Sequence, residues 1–89
     1  MAQAVVDPEQ LRQFAAMLKR YTQQVRESTA GLTQAQARLA DSWRDQEHHK
    51  FCEQFDEQIK QVHKLLEASE QHIPYLLKKA EIIDEYLQR

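Results

Sequence analysis

The chain has 89 residues, with one glycine, two prolines and one cysteine, a length that leaves room for one domain and excludes two. So few turn-forming residues exclude a fold rich in sheets or loops and favour long uninterrupted helices. A single cysteine excludes an internal disulfide, so we expect a partner chain to complete the small core. The sequence therefore predicts one all-α domain over residues 1–89.

The formal net charge of −2 is divided unevenly along the chain. Residues 1–40 carry five basic and three acidic residues, whereas residues 41–89 carry seven basic and eleven acidic ones. Neither half is basic enough to favour nucleic acid or an anionic membrane. The sequence begins without a signal-peptide pattern and has no apolar run of about 18 residues. We expect a cytoplasmic protein without a membrane span, and any secretion to be independent of a signal peptide.

Helix 1 is predicted over about residues 8–40. Asp7 is suited to cap this helix and Pro8 to open it. Gly31 lies within it, either as a tolerated glycine or as a point of close approach by another helix. Apolar residues follow one another at alternating spacings of three and four, which is typical of a helix that packs along one stripe. The predicted stripe consists of Leu11, Phe14, Leu18, Tyr21, Val25, Ser28, Leu32, Ala35 and Leu39.

A turn is predicted at residues 41–46, where capping and turn residues are concentrated. Helix 2 follows over about residues 46–88. Pro74 removes one hydrogen bond inside this helix, so we expect a kink near Pro74, with a break and a separate short helix as the alternative. The same three-and-four spacing gives helix 2 a stripe of His48, Cys52, Phe55, Ile59, Val62, Leu66, Ser69, Ile73, Leu76, Ala80, Ile83 and Leu87.

The two stripes match each other when the chain is folded at the Trp43–Arg44 bond. Tyr21 then faces Leu66, and most layers set a smaller side chain against a larger one. The predicted fold is an antiparallel two-helix hairpin. With this register, residues 80–89 extend beyond the end of helix 1.

Apolar and small residues outside these stripes predict that the hairpin dimerises into a four-helix bundle. Ala15 and Thr22 are small enough for a second hairpin to approach helix 1 closely. The expected partner is a second copy or a related helical hairpin. The predicted partner interface consists of Ala15, Thr22, Phe51, Leu65, Leu77, Ile82 and Tyr86.

The sequence offers little that resembles a catalytic or metal site. His48 and Cys52 have the i, i+4 spacing that can hold a metal on a helix face, but two ligands do not make a structural site. Catalysis by Cys52 requires a preorganised cleft, which a two-helix rod does not provide. We therefore predict a protein that is not an enzyme, binds no metal or cofactor, and does not bind nucleic acid.

Trp43, Arg44 and Asp45 form a short motif in the turn, within the segment "LADSWRDQEHHKFCEQF". Two long antiparallel helices in under a hundred residues, with a tryptophan between them, resemble the WXG family of small helical hairpins, the ESAT-like substrates of type VII secretion. The family also places an aromatic residue about eight positions after the tryptophan, where this sequence has Phe51. The resemblance covers nearly the whole chain.

Two positions depart from the family pattern. Asp45 stands where the family has glycine, and Asp is compatible with this turn because it tolerates positive φ and caps helices. The family's secretion signal is a Tyr followed four residues later by Asp or Glu. Tyr75 is followed by Lys79, and Tyr86 has no residue four positions later in the sequence. A partner therefore supplies this signal, or the chain is not exported in that way.

The resemblance implies a protein-interaction module that docks by helix–helix contacts as a dimer. It would be a substrate or escort of a type VII-like secretion system, with a secretion-system component as a further partner. The alternative is a cytoplasmic helical adaptor or structural subunit unrelated to secretion.

Overall fold

The computed structural model describes residues 6–88 as two helices that fold back on each other. Helix α1 spans Pro8–Arg38, a 3-10 turn spans Leu39–Asp41, and helix α2 spans Gln46–Leu87. The described part contains no strand. The hairpin is a rod of 67 × 21 × 15 Å, so the prediction of an all-α antiparallel hairpin is confirmed.

Helix α1 begins at the capping signal that the sequence contains. Asp7 has extended backbone angles, with φ −71° and ψ 117°, and its side chain accepts a hydrogen bond from the backbone N–H of Glu9 at 2.9 Å. Pro8 is the first helical residue, where its missing N–H would have no helical partner in any case. The start of the helix is therefore fixed by local chemistry.

The seam of the hairpin on α1 differs from the predicted stripe by one residue. Ala15 and Thr22 are only 2% and 1% exposed, and Thr29 is also buried. Phe14 and Tyr21, which we expected in the seam, are 55% and 53% exposed. The hairpin is thus built on small residues of α1, and the prediction for Phe14 and Tyr21 is wrong.

Close helix packing explains this shift. Small side chains let two helix backbones approach, whereas Phe and Tyr at the same positions would hold them apart. A buried threonine is acceptable because the Thr22 hydroxyl donates to the carbonyl of Lys19 at 2.9 Å. No buried side-chain nitrogen or oxygen within residues 6–88 lacks a hydrogen-bond partner. Ala15 and Thr22 therefore allow a helix to approach α1 closely, as expected. That helix is α2 of the same chain and not a second hairpin.

Near the turn, Leu32 and Leu39 also leave the seam and are exposed. A straight α-helix drifts by about 20° per heptad relative to a seven-residue repeat. Over two heptads from Leu18 this drift carries Leu32 outward, whereas Gln36 continues the heptad position of the buried Ala15, Thr22 and Thr29. Gln36 is accordingly half-buried and donates to Cys52 Sγ at 2.9 Å.

The stripe of α2 follows the prediction more closely. Leu66 and Ala80 are buried, and most other members of the stripe are half-buried. Helix α2 continues through Pro74, so a separate helix beginning there is excluded. The kink at Pro74 stays a prediction.

Two ion pairs join the helices on one side of the hairpin. Arg26 forms a two-point contact with Glu70, at 2.7 and 2.8 Å. Arg12 contacts Asp84 closer to the open end. Because Ala80 is buried and Asp84 is bound to α1, the segment that extends beyond α1 is shorter than the expected residues 80–89.

The Arg26–Glu70 pair predicts a pH-dependent contribution to stability. The hydrogen bond from Arg26 is the main cause that lowers the pKa of Glu70. Because the pKa is lower in the folded chain, the ion pair adds its full share to folding stability above the ordinary glutamate pKa of about 4.3. It is lost as pH falls through the lowered value. We expect Glu70→Gln to lower the melting temperature at pH 6 and to have a much smaller effect at pH 3. Glu85→Gln is the control, and an equal effect of both variants at pH 6 would contradict the assignment.

Gly31 gives a second stability prediction. A Cβ added at Gly31 meets no atom within 4 Å, and glycine costs a helix interior about 1 kcal/mol relative to alanine. In the hairpin itself, Gly31 is thus a tolerated glycine. We expect Gly31→Ala to raise the free energy of unfolding by about 1 kcal/mol in a urea titration. A destabilised variant would indicate that another chain packs closely at this position.

Candidate functional site

The turn between the helices is held by backbone hydrogen bonds that return to the end of α1. The N–H groups of Ser42 and Trp43 both donate to the carbonyl of Leu39, at 3.1 and 2.8 Å. The Arg44 guanidinium donates to the carbonyls of Ala40 and Asp41, at 3.2 and 3.3 Å. Arg44 therefore satisfies carbonyls that the end of the helix leaves without partners.

Trp43 packs against the first turns of α2. Its ring centroid lies 4.8 Å from that of His48 and 5.6 Å from that of Phe51. Phe51 in turn stacks on Phe55 at 5.7 Å. Tilted contacts at these separations are favourable for aromatic rings. Half-buried Trp43 thus joins a cluster of four rings at the start of α2, in which it contacts His48 and Phe51, and Phe51 contacts Phe55.

Asp45 is the N-cap of α2. Its φ of −92° and ψ of −177° are extended, and its Oδ1 accepts from the N–H of His48 at 3.0 Å. The position therefore does not require the positive φ for which glycine is suited. Asp and Gly are both acceptable N-cap residues, which explains physically how Asp45 occupies the third position of the motif.

This geometry predicts different results for two substitutions at Asp45. Asp45→Ala removes the cap and should cost about 1 kcal/mol of unfolding free energy, whereas Asp45→Gly should cost only a few tenths. Urea denaturation of both variants tests this order. If Asp45→Gly proved the more damaging, the capping role would not account for the residue.

Cys52 and His48 form a small polar cluster next to the turn. The Nε2 atom of His48 lies 3.3 Å from Cys52 Sγ, and Gln36 donates to the same sulfur. No group of three or more His, Cys, Asp or Glu side chains converges within the described range 6–88. The cluster links α1 to α2 near the turn.

The long sides of the hairpin have opposite chemistry. On one side, charged residues follow buried seam residues by four positions: Arg26 follows Thr22, and Glu70 follows Leu66. On the other side, large apolar residues directly precede the same two seam residues: Tyr21 precedes Thr22, and Leu65 precedes Leu66. In an antiparallel pair of helices, residues at the same offset from the two seams lie on the same side of the hairpin. The contact between Arg26 and Glu70 demonstrates this.

We call the first side the ion-paired face, consisting of Arg12, Arg26, Glu70, Leu77 and Asp84. We call the second the apolar face, consisting of Phe14, Met17, Tyr21, Leu65, Tyr75, Ile82 and Tyr86. Every member of the apolar face is more than half exposed. A surface of this kind is typical of a protein–protein contact.

The structure divides the predicted partner interface among four places. Ala15 and Thr22 lie inside the hairpin, so they are unavailable to a partner and their assignment is corrected. Leu77 is 45% exposed but lies on the ion-paired face, between Glu70 and Asp84 in the heptad pattern. Phe51 contacts Trp43 and remains partly exposed. The other three, Leu65, Ile82 and Tyr86, lie on the apolar face.

Three members of the apolar face on α1 lie outside the predicted interface. The three-and-four spacing places Phe14 and Tyr21 in the hairpin seam, and the predicted interface does not contain Met17. The sequence does contain a signal for the observed seam. Small residues recur with the same helical spacing one position later, at Ala15, Thr22 and Thr29.

The model of one protein family, described as WXG100, proteins of 100 residues with WXG, matches residues 3–82. The chain belongs to the WXG100 family. Trp43, Arg44 and Asp45 lie within the matched range, with Asp45 at the glycine position. No curated protein and no solved structure matches this WXG100 chain.

Membership makes the chain a small helical protein of the type VII secretion kind. WXG100 proteins are small helical secretion substrates and not known enzymes, and they typically pair with similar helical partners. No helix within residues 6–88 is long and apolar enough to cross a bilayer.

Proposed function

We propose that this WXG100 protein is a substrate or escort of a type VII-like secretion system, and that it acts by docking a similar helical hairpin. The observation that carries the proposal is the exposed apolar face, to which both helices contribute. Burying that face against a second hairpin gives a four-helix bundle with a core between the hairpins. The chain alone buries few large side chains, and Leu66 and Thr22 are the largest fully buried ones in the described part.

The turn supports a role in recognition by a secretion component. The Trp43–Phe51 contact holds the turn at one end of the hairpin in a fixed shape. The opposite end carries Tyr75 and Tyr86, and both are more than half exposed. The +4 position after Tyr75 is Lys79 instead of an acid, so we propose that the docked partner supplies the acidic export signal.

A secretion assay tests the proposed function. A tagged chain is expressed in a bacterium that carries a type VII secretion system and in a strain of it from which the type VII machinery has been deleted. A substrate should appear outside the first strain and be retained by the second, whereas an escort should remain inside while export of its partner depends on it. Cell lysis is controlled with a cytosolic marker protein.

Retention of the chain in both strains, together with partner export that does not depend on it, would overturn the proposal. That result would instead favour a cytoplasmic helical adaptor or structural subunit unrelated to secretion.

A further inference from the structure

We propose that the ion-paired face carries a docking site of its own, a groove around Leu77 that binds a short acidic segment of a partner protein. In this segment a carboxylate stands next to an apolar side chain. The site goes beyond the proposed function, because it lies on the side of the hairpin opposite the apolar face. One chain could therefore hold a second hairpin and an acidic segment at the same time.

The charges of the ion-paired face recur every seven residues along both helices. On α1 the recurring residues are the cations Arg12, Lys19 and Arg26. On α2 the acids Glu70 and Asp84 bind the outer two of these cations, and Leu77 lies midway between the two acids in the sequence. The two contacts fix the register of the antiparallel helices, so Leu77 is the residue that faces Lys19.

Lys19 is thus the cation of this row that faces an apolar residue in place of an acid. Its side chain is exposed, and none of the ion pairs formed within residues 6–88 includes it. The cations on either side of it are already bound by carboxylates. A carboxylate from outside the chain therefore finds its strongest attraction on this face at Lys19.

A groove of about 470 Å³ lies at the same level of the rod. Its apolar part is formed by Pro74 and Leu77, and its charged walls by Arg12, Lys78 and Glu81. Leu77 is 45% exposed, and Pro74 is exposed as well. Lys78 and Glu81 lie 3.6 Å apart and largely offset each other's charge. Such a groove suits an apolar side chain whose neighbour is charged.

The two ion pairs also limit the length of the occupant. Glu70 and Asp84 are fourteen residues apart, and this separation corresponds to about 21 Å along the helix. The stretch between them that lacks an ion pair has room for a short peptide segment rather than for a long helix.

The chemistry of the groove favours an acidic segment over the other kinds of partner segment. An apolar side chain seated on Leu77 and Pro74 gains free energy from burial, while the adjacent carboxylate reaches Lys19. A basic segment would be repelled by Lys19 and Arg12. A purely apolar segment would remove water from the Lys19 ammonium without giving it a partner, which is costly.

Selection of peptides from a display library of random linear sequences, with the full wild-type chain as the target, tests the chemistry of the partner. We expect the enriched peptides to combine Asp or Glu with a neighbouring large apolar residue. One enriched peptide is then synthesised and titrated against purified variants by fluorescence anisotropy. Lys19→Glu and Leu77→Ser should each weaken binding at least about tenfold. Lys19→Arg keeps the cation and should change binding less than about threefold.

Lys64→Glu and Leu65→Ser are the matched controls, since both residues are exposed and lie outside the ion-paired face. Each should bind the peptide within about threefold of the wild type, and circular dichroism shows whether every variant remains folded. The proposal is overturned if the library yields no enriched peptide, or if the enriched peptides are basic or lack an acid. It is also overturned if the controls weaken binding as much as Lys19→Glu and Leu77→Ser do. A chain that is exported and docks a second hairpin but binds no acidic peptide would keep its proposed function while this inference fails.

Discussion

Replacing Leu66 with alanine should lower the free energy of unfolding by about 3 kcal/mol. Leu66 is 1% exposed and is the largest fully buried apolar side chain in the described part of the hairpin. Removing its three outer carbons loses the free energy gained by burying them and leaves a cavity between the helices. Such substitutions lower the free energy of unfolding by about 2–5 kcal/mol. In a hairpin whose only other buried apolar residues within residues 6–88 are Ala15 and Ala80, this is a large share of a small domain's stability.

The neighbouring residue provides a matched control. Leu65→Ala makes the same chemical change one position earlier, where the side chain is 60% exposed, so the single hairpin should lose well under 1 kcal/mol. Urea denaturation should be repeated over a range of protein concentrations, because a dimer adds concentration-dependent stability. Equal losses for both variants at low concentration would contradict the position of the seam on α2.

Helix α2 was predictable because its apolar spacing and its burial point to the same side. The three-and-four spacing from Cys52 to Ile83 continues without interruption, and the structure buries that side along most of the helix. Pro74 did not divide it, since one missing hydrogen bond is outweighed by packing on both sides.

The seam of α1 was not predictable from hydrophobicity alone. Two stripes one residue apart have helical spacing, one containing Phe14 and Tyr21 and the other Ala15 and Thr22. Hydrophobicity favours the first, while close approach of the helices favours the second. Choosing between them requires the separation of the two helices, which depends on residues far apart in the chain.

That choice also decides the candidate docking surface. Once Ala15 and Thr22 are in the seam, Phe14 and Tyr21 must turn outward, toward the side that Leu65 occupies on α2. The turn was more predictable because its contacts are local. Trp43 and Phe51 are eight residues apart, and Asp45 caps the helix that follows it directly.

Replacing Trp43 with alanine should cost about 2 kcal/mol of unfolding free energy, below the 3–5 kcal/mol typical of fully buried aromatic residues. The ring is half-buried, and the loss includes its contacts with His48 and Phe51. The backbone hydrogen bonds of the turn do not involve the Trp43 side chain, so both helices should keep their length. Circular dichroism should show nearly unchanged helicity together with a lower urea midpoint.

Trp43→Phe separates ring packing from recognition. A phenylalanine retains an aromatic face toward Phe51, so the loss of stability should be less than about half of that for Trp43→Ala. Denaturation and dimerisation should be measured on both variants. If Trp43→Ala unfolds at the same urea concentration as the wild type but no longer binds its partner, Trp43 is a recognition residue of the hairpin tip. If stability falls in the order wild type, Trp43→Phe, Trp43→Ala, with dimerisation of the folded chains retained, its role is to hold the turn against α2.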